Sequence, residues 1–281
     1  MSGTVAITGA SGFIGGHLVR RFQTLGWNVV ALVRHPERPL AGVEMRKFIL
    51  GEPLPKDSLT GVDLLIHTAY DFSLCGWADI ARVNVVGSDY LFDAATRAGV
   101  KRSILISSMS AFEGCRSHYG RGKLAAENAV CIRGGIAVRP GMIYSETNGG
   151  LAAKIAAVAR RMPVIPMIGR GDYPLFTCHA DDLCDLIVQL AKAETVPDAI
   201  LTAANPEPIS LLKIVYKASS GKSRVVIALP WPLIAFGLWM LECLGMRPGF
   251  RSDSVVSLVH ANEDPNFEPA KAFPVTFRPF G

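Results

Sequence analysis

The run "TVAIT" (Thr4 to Thr8) passes directly into "GASGFIGGHLVRRFQTLG", and few features restrict a fold more. A short β-branched run without polar alternation reads as a strand buried on both faces. Ile14, Leu18, Val19, Phe22 and Leu25 then recur at helical spacing, with Gly26 as the stop. Gly9, Gly12 and Gly15 therefore fall at a strand-to-helix turn. Glycine there permits a tight turn, close backbone approach to a diphosphate, and tight packing of helix on strand. The helix start presents free N–H groups and its dipole to an anion. With the strand before it and the helix after it, this pattern predicts a dinucleotide site. Its candidate contacts are Gly9, Ser11, Gly12, Phe13, Ile14 and Gly15.

The second strand, "WNVVALV", ends at Val33, where an acidic residue would select the ribose 2′-hydroxyl of NAD. That acid is missing, and Arg34 follows at once, with His35 and Arg38 close by. A guanidinium can pair with a 2′-phosphate, so NADP is expected ahead of NAD. The competing reading makes Arg34 an exposed loop residue.

Composition limits the remaining classes. With 49% hydrophobic and 19% charged residues over 281 positions, the chain can bury a sizeable core. A formal charge of +5 suits anionic small molecules, but Lys and Arg form no runs or basic-aromatic stripes of the nucleic-acid-binding kind. The six cysteines are dispersed, with no C-x-x-C, which predicts reduced thiols and no zinc site. The start "MSGTVAITGA" has neither a basic n-region nor a long apolar stretch, so a cytoplasmic location is expected.

In "HYGRGKLAAE" Tyr119 precedes Lys123 by one helical turn, which puts phenol and ammonium on one face. A nearby cation favours phenolate, so Lys123 is expected to draw the Tyr119 pKa below roughly 10. Tyr119 would then serve as an acid or base near neutral pH. The spacing alone equally fits two solvated residues on an exposed helix.

Further segments follow in order: "VDLLIHTAY", "NVVGSDYLFDAATRAGVKR", "ILISSMSAFEG", "YGRGKLAAE", "GIAVRPGMIY" and "CHADDLCDLI". Together with "TGASGFIGGHL" they resemble the extended and atypical short-chain dehydrogenase/reductases, a group that includes the NAD-dependent epimerase/dehydratases. The resemblance implies an NAD(P)-binding Rossmann fold and hydride transfer at a carbonyl or alcohol, with a nucleotide-linked sugar as a candidate substrate. It makes Tyr119 the general acid/base and Lys123 its electrostatic partner and a ligand of the nicotinamide ribose. A serine of "SSMS" would polarise the reacting oxygen. Ser108 is the first choice, with Phe112 at a position usually held by tyrosine, and Ser110 is the fallback. If Glu113 aligns there instead, Met109 takes the catalytic place. His67 and Ala69 would flank the cofactor, though His67 in an apolar strand also reads as structural. Pro140 would pass the nicotinamide. Tyr119 and Lys123 would be shared between cofactor and catalysis, and Ser108 and Ser110 between catalysis and substrate. A homodimer through the helices containing Asn84 and Tyr119 is implied. The chain departs from the pattern in three places: eleven positions from Ser108 to Tyr119 is short, Gly122 replaces a common serine, and Ser145 stands where glycine is usual. An epimerase or dehydratase that retains its cofactor, and a cofactor-binding relative without turnover, are the alternatives.

The acids Asp181, Asp182 and Asp185 suit the first turns of a helix better than a metal site, and His179 reads as a packing residue. Thr147 and Asn148 open a substrate-side region, where Asn148 is a candidate substrate contact. "VVIALPWPLIAFGLWML" (Val225 to Leu241) is uncharged over seventeen residues, at the short end of a bilayer span, and Pro230 and Pro232 interrupt it. Burial in a substrate lobe or a subunit contact is expected there, with peripheral membrane contact or a lipid-linked substrate as the lesser alternative. The predicted architecture is α/β: a doubly wound parallel sheet from residues 1–145 and 173–205, with a small substrate lobe from 146–172 and 206–281.

Overall fold

Strands that are apolar on both faces need a sheet covered on both sides. Seven supply it: β1 (Thr4–Thr8), β2 (Asn28–Val33), β3 (Glu44–Lys47), β4 (Leu64–His67), β5 (Arg102–Ile106), β6 (Ile136–Pro140) and, later in the chain, β11 (Ile200–Ala203). The computed structural model describes residues 3–38, 40–146, 150–219, 225–246 and 249–280. The sheet is parallel throughout, in the order β11-β6-β5-β4-β1-β2-β3, so the chain reverses its direction of growth between β1 and β4. In register, Thr8 pairs with His67 and His67 with Leu105, which aligns the carboxyl ends of β1, β4 and β5.

Alternate residues face opposite cores. Val5, Ile7, Val29, Ala31, Leu64 and Ile66 meet α1 (Phe13–Thr24) and α6 (Ala180–Lys192). Ala6, Val30, Leu32 and Leu65 meet α3 (Val86–Arg97) and α4 (His118–Cys131). A short helix α2 (Trp77–Ile80) runs through a π-turn, Ala81–Val85, into α3. The fold is the doubly wound Rossmann arrangement that the first turn predicts.

Smaller pairings complete the chain. β7 (Met142–Tyr144) lies parallel to β10 (Thr177–His179), and β8 (Val164–Ile168) lies parallel to β13 (Val225–Leu229). β9 (Pro174–Leu175) and β12 (Ile209–Ser210) are antiparallel. A third apolar cluster joins Ile155 and Ala159 of α5 (Gly150–Arg161), Ile165 and Met167 of β8, and Ile214 and Val215 of α7 (Leu211–Ala218). The final helices are α8 (Trp231–Cys243) and α9 (Ser252–Val259).

Of the two readings of the apolar run 225–241, burial within the chain's own lobe is not met. No residue of α8 is buried. The helix is apolar around its whole circumference, so packing against α9 can cover only one side. Among the described residues, no helix is long and apolar enough to cross a membrane. All six thiols are unpaired.

Candidate active site

The first turn is built by close backbone contacts. Gly9 adopts φ +64°, and the Gly12 N–H donates to its carbonyl at 2.8 Å. A Cβ on Gly15 would lie 2.1 Å from the Gly9 oxygen, so only glycine lets α1 approach the end of β1 this closely. Gly12 caps α1 without any side-chain bond, and the first turn holds no acid. The amides of Phe13, Ile14 and Gly15 therefore have no intrahelical acceptor, and the dipole there is uncompensated. Such a turn has the donors and the room to cradle a diphosphate. Ser11 is exposed at its rim, and Phe13 packs edge-on against His17 at 5.1 Å.

Beneath the cradle, the Thr8 hydroxyl accepts from the amides of Thr68 (3.0 Å) and Ala69 (3.1 Å). His67 bonds Thr8 Oγ1 through Nδ1 (2.7 Å) and Ser88 Oγ through Nε2 (2.9 Å). Burial, aided by the Lys123 charge, pushes the His67 pKa down to about 3. Its ring is a neutral strut with both nitrogens engaged inside the protein, so the expected cofactor contact has no free side-chain atom there. Arg34 sits exposed just past β2. Buried Pro140 ends β6, its carbonyl accepting from the Met109 amide at 3.1 Å.

The second half of the site is the start of α4. Ser117 caps it by accepting from Gly120 N at 3.0 Å. The Asp253 carboxylate, reaching from α9, accepts from the amides of His118 (2.8 Å) and Tyr119 (2.9 Å). A Cβ on Gly120 would stand 2.2 Å from the Ser110 carbonyl, so this glycine lets the loop after β5 lie against the helix beside Tyr119. That contact sets the Ser108 hydroxyl, which accepts from the Ser110 amide at 3.1 Å, near enough to the Tyr119 phenol to lower its pKa in part. Ser110 turns elsewhere, its hydroxyl bonded to Ser257 at 2.8 Å. Ser107 donates to Glu127, which Arg139 grips with two bonds of 2.8 and 2.6 Å, locking β5, α4 and β6 together. Tyr70 and Phe72 pack their rings on Tyr119, with centroids at 5.1 and 5.7 Å. The Tyr70 hydroxyl is buried with no hydrogen-bond partner among the described residues, facing Gly122, where a Cβ would lie 3.3 Å away.

Lys123 does not act on Tyr119 as the spacing predicts. Its ammonium donates to the Ile106 carbonyl at 2.8 Å and lies 5.0 Å from the centre of the Tyr70 ring. Burial pushes Tyr119 up to about 12, opposed by the nearby Ser108 hydroxyl. Burial likewise pulls Lys123 down to about 8, with Glu127 opposing. Lys123 is buried and Tyr119 partly so, and desolvation sets the direction of both shifts. In this state Tyr119 is a neutral phenol, which is a proton donor.

The cradle and the Ser108–Tyr119 pair share the carboxyl ends of β1, β4 and β5, beside the point where strand order reverses, the crevice in which such sheets bind ligands. A separate depression of about 380 Å³ lies beside Met109, Arg139, Thr202 and Asn262, and neither Tyr119 nor the glycine turn borders it.

Residues 5–201 match the model of the NAD dependent epimerase/dehydratase family. The chain belongs to this family. It is 37% identical over 201 residues to a ceramide reductase of Caulobacter vibrioides, covering 68% of this chain but only 61% of that protein. It is 24% identical to a 3 beta-hydroxysteroid dehydrogenase/Delta 5-->4-isomerase of Mycobacterium tuberculosis, across 95% and 86% of the two chains. A UDP-glucose 4-epimerase from Thermotoga maritima shares the fold at TM-score 0.68 and 18% identity, covering 81% of this chain and 86% of that one. Enzymes of this family depend on NAD, and the acid-free, uncapped start of α1 fits the diphosphate of such a dinucleotide.

Of the other expected residues, Thr147 and Asn148 lie outside the described residues. The acids of α6 have structural partners. Asp182 holds Arg278 through three bonds of 2.6–2.9 Å, and Asp185 pairs with Arg21. His179 caps α6 and bonds Glu146 at 3.0 Å. Two features escape a reading along the chain. Asp253 acts across 134 positions and leaves no local signal. Gly120 does leave one, since a glycine inside a helix costs about 1 kcal/mol and marks a close approach.

Proposed function

We propose that this protein is an oxidoreductase that moves a hydride between a nicotinamide dinucleotide and a carbonyl or alcohol, with Tyr119 as the acid/base. The observation that carries this reading is the placement of the Tyr119 ring, packed against Tyr70 and Phe72 at the start of α4, with the Ser108 hydroxyl near enough to act on its pKa, beside the switch point of the sheet. When bound, the cofactor supplies hydride chemistry. The chain supplies the rest. The amides of Phe13, Ile14 and Gly15 hold the diphosphate. Ser108 donates to the reacting oxygen, and Tyr119 delivers the proton that converts it to a hydroxyl. Lys123, anchored on Ile106 O, would hold the nicotinamide ribose of the bound cofactor. Arg34 pairs with a 2′-phosphate, which favours NADP over NAD.

Tyr70 and Phe72 line the phenol with aromatic surface, which supports a carbonyl or alcohol on an apolar skeleton. The names of the ceramide reductase and the hydroxysteroid dehydrogenase point the same way. The second reading is an epimerase or dehydratase that retains its cofactor and acts on a nucleotide-linked sugar; the family's name supports the reaction types.

The experiment compares wild type, Tyr119→Phe and Arg34→Ala. Tyr119→Phe should lose at least roughly a hundredfold in kcat, the scale of general acid catalysis, while NADPH affinity holds. Arg34→Ala should weaken NADPH and spare NADH. Equal kcat in wild type and Tyr119→Phe would remove the phenol from the chemistry. Tightly co-purifying NAD with no consumption of added NADPH would favour the sugar reading.

A further inference from the structure

Eighteen large apolar side chains stand exposed among the described residues, and nine of them fall between Val225 and Met246. On α8, Leu233, Phe236 and Trp239 are 63, 57 and 52% exposed, and Leu244 just past it reaches 70%. The single ionised residue of the helix, Glu242, is turned inward, where it accepts from Ser252 N (2.9 Å) and Ser252 Oγ (2.7 Å) beside Arg251. The apolar surface continues onto the β8–β13 pair, where Val164 and Val225 are partners and both are exposed.

Charge divides along the same line. Residues 150–171 and 211–251 carry ten Lys and Arg against Glu242 alone, a net charge of +9. The rest of the chain is therefore net −4, since the whole is +5. An apolar face within a cationic segment matches one occupant in particular. Anionic lipid headgroups take the cations while the acyl boundary takes the apolar side chains. A second copy of this chain would set the same cationic segment against itself, a like-charge arrangement that disfavours a two-fold interface.

We propose that α8 and the adjoining edge of β13 form the surface by which this protein docks on an anionic lipid bilayer. The helix lies along the interface. Its 13 residues span roughly 20 Å, short of a hydrocarbon core of roughly 30 Å. Trp231 and Trp239 belong at headgroup depth, where indole is favoured. The docked helix is also wired to the candidate active site. Glu242 holds Ser252, the neighbouring Arg251 donates to the carbonyls of Phe72 and Leu74, and Asp253 caps the amide of Tyr119.

The test is co-sedimentation of the full chain with phosphatidylcholine–phosphatidylglycerol vesicles and with pure phosphatidylcholine vesicles, at low and high salt. Wild type should bind the mixed vesicles, and salt should weaken the binding. Phe236→Asp/Trp239→Asp should bind at least roughly tenfold less, with an unchanged circular dichroism spectrum because both side chains already face outward. Wild type remaining in the supernatant, or the double variant binding equally, would overturn the proposal. Equal binding to neutral vesicles would remove its electrostatic half. A wild-type dimer that the double variant converts to a monomer, with no vesicle binding, would assign the face to a second copy instead.

Discussion

Lys123 shows how burial reverses an inference from spacing. One helical turn from Tyr119, it should lower the phenol's pKa, yet desolvation raises Tyr119 to about 12 and lowers Lys123 to about 8. An ammonium that loses water on folding weakens the fold wherever it must stay charged. Below pH 8 both states hold the proton and the full cost is present. Between pH 8 and about 10.5 the unfolded chain binds more protons than the folded one, so stability rises with pH. The shift corresponds to roughly 3 kcal/mol. Lys123→Met should therefore be more stable than wild type at pH 7 by about 1–3 kcal/mol, and the gain should shrink toward pH 10, as read by urea denaturation across pH. An unchanged or lowered stability at pH 7 would mean the ammonium is not desolvated.

At the scale of elements, the start of α4 is a junction. Its capping comes from Ser117 on the same chain segment and from Asp253 on α9. Asp253 thus fixes the backbone under Tyr119 from outside the sheet. Removing this double cap should cost about 1–2 kcal/mol and loosen the Ser108–Tyr119 contact. Asp253→Ala is expected to lower kcat by more than it weakens dinucleotide binding, because α1 and the glycine turn are untouched. Stopped-flow turnover set against fluorescence titration of NADPH separates the two. Equal loss of both would place Asp253 in general folding alone.

For the molecule as a whole, the segment 275–280 ties separate parts together. Val275 and Phe277 pack on the core shared by α1 and α6, Arg278 is held by Asp182, and Phe280 packs on Tyr144 and in the cluster of α5, β8 and α7. Asn205 and Lys217 bind the carbonyls of Phe277 and Phe280 at 2.8 and 2.6 Å. Asp182 is almost wholly buried, whereas Arg278 is half exposed, so the carboxylate has more to lose. Asp182→Ala should destabilise the protein by about 2–3 kcal/mol and raise the proteolytic sensitivity of the segment, with dinucleotide affinity unchanged. Limited proteolysis followed by mass spectrometry reads this directly.

The Rossmann core and its nucleotide turn were legible along the chain because their causes are local. Apolar strands of period two, a 3.6-residue stripe and glycines at a turn act within a few residues of one another, and β1, α1 and β2 follow from them. The serine–tyrosine segments were legible only through the family resemblance, since the Tyr119–Lys123 spacing by itself fits an exposed helix equally well. What needed the folded molecule was every property set by distant neighbours. Burial decided the protonation of Tyr119, Lys123 and His67. Asp253 joined the site from α9, whose own sequence carries no sign of it. The apolar stretch at 225–241 was plain to see, but its exposure was not, because hydropathy states a preference for leaving water and only the packing of α8 on α9 determines how much of that preference is met.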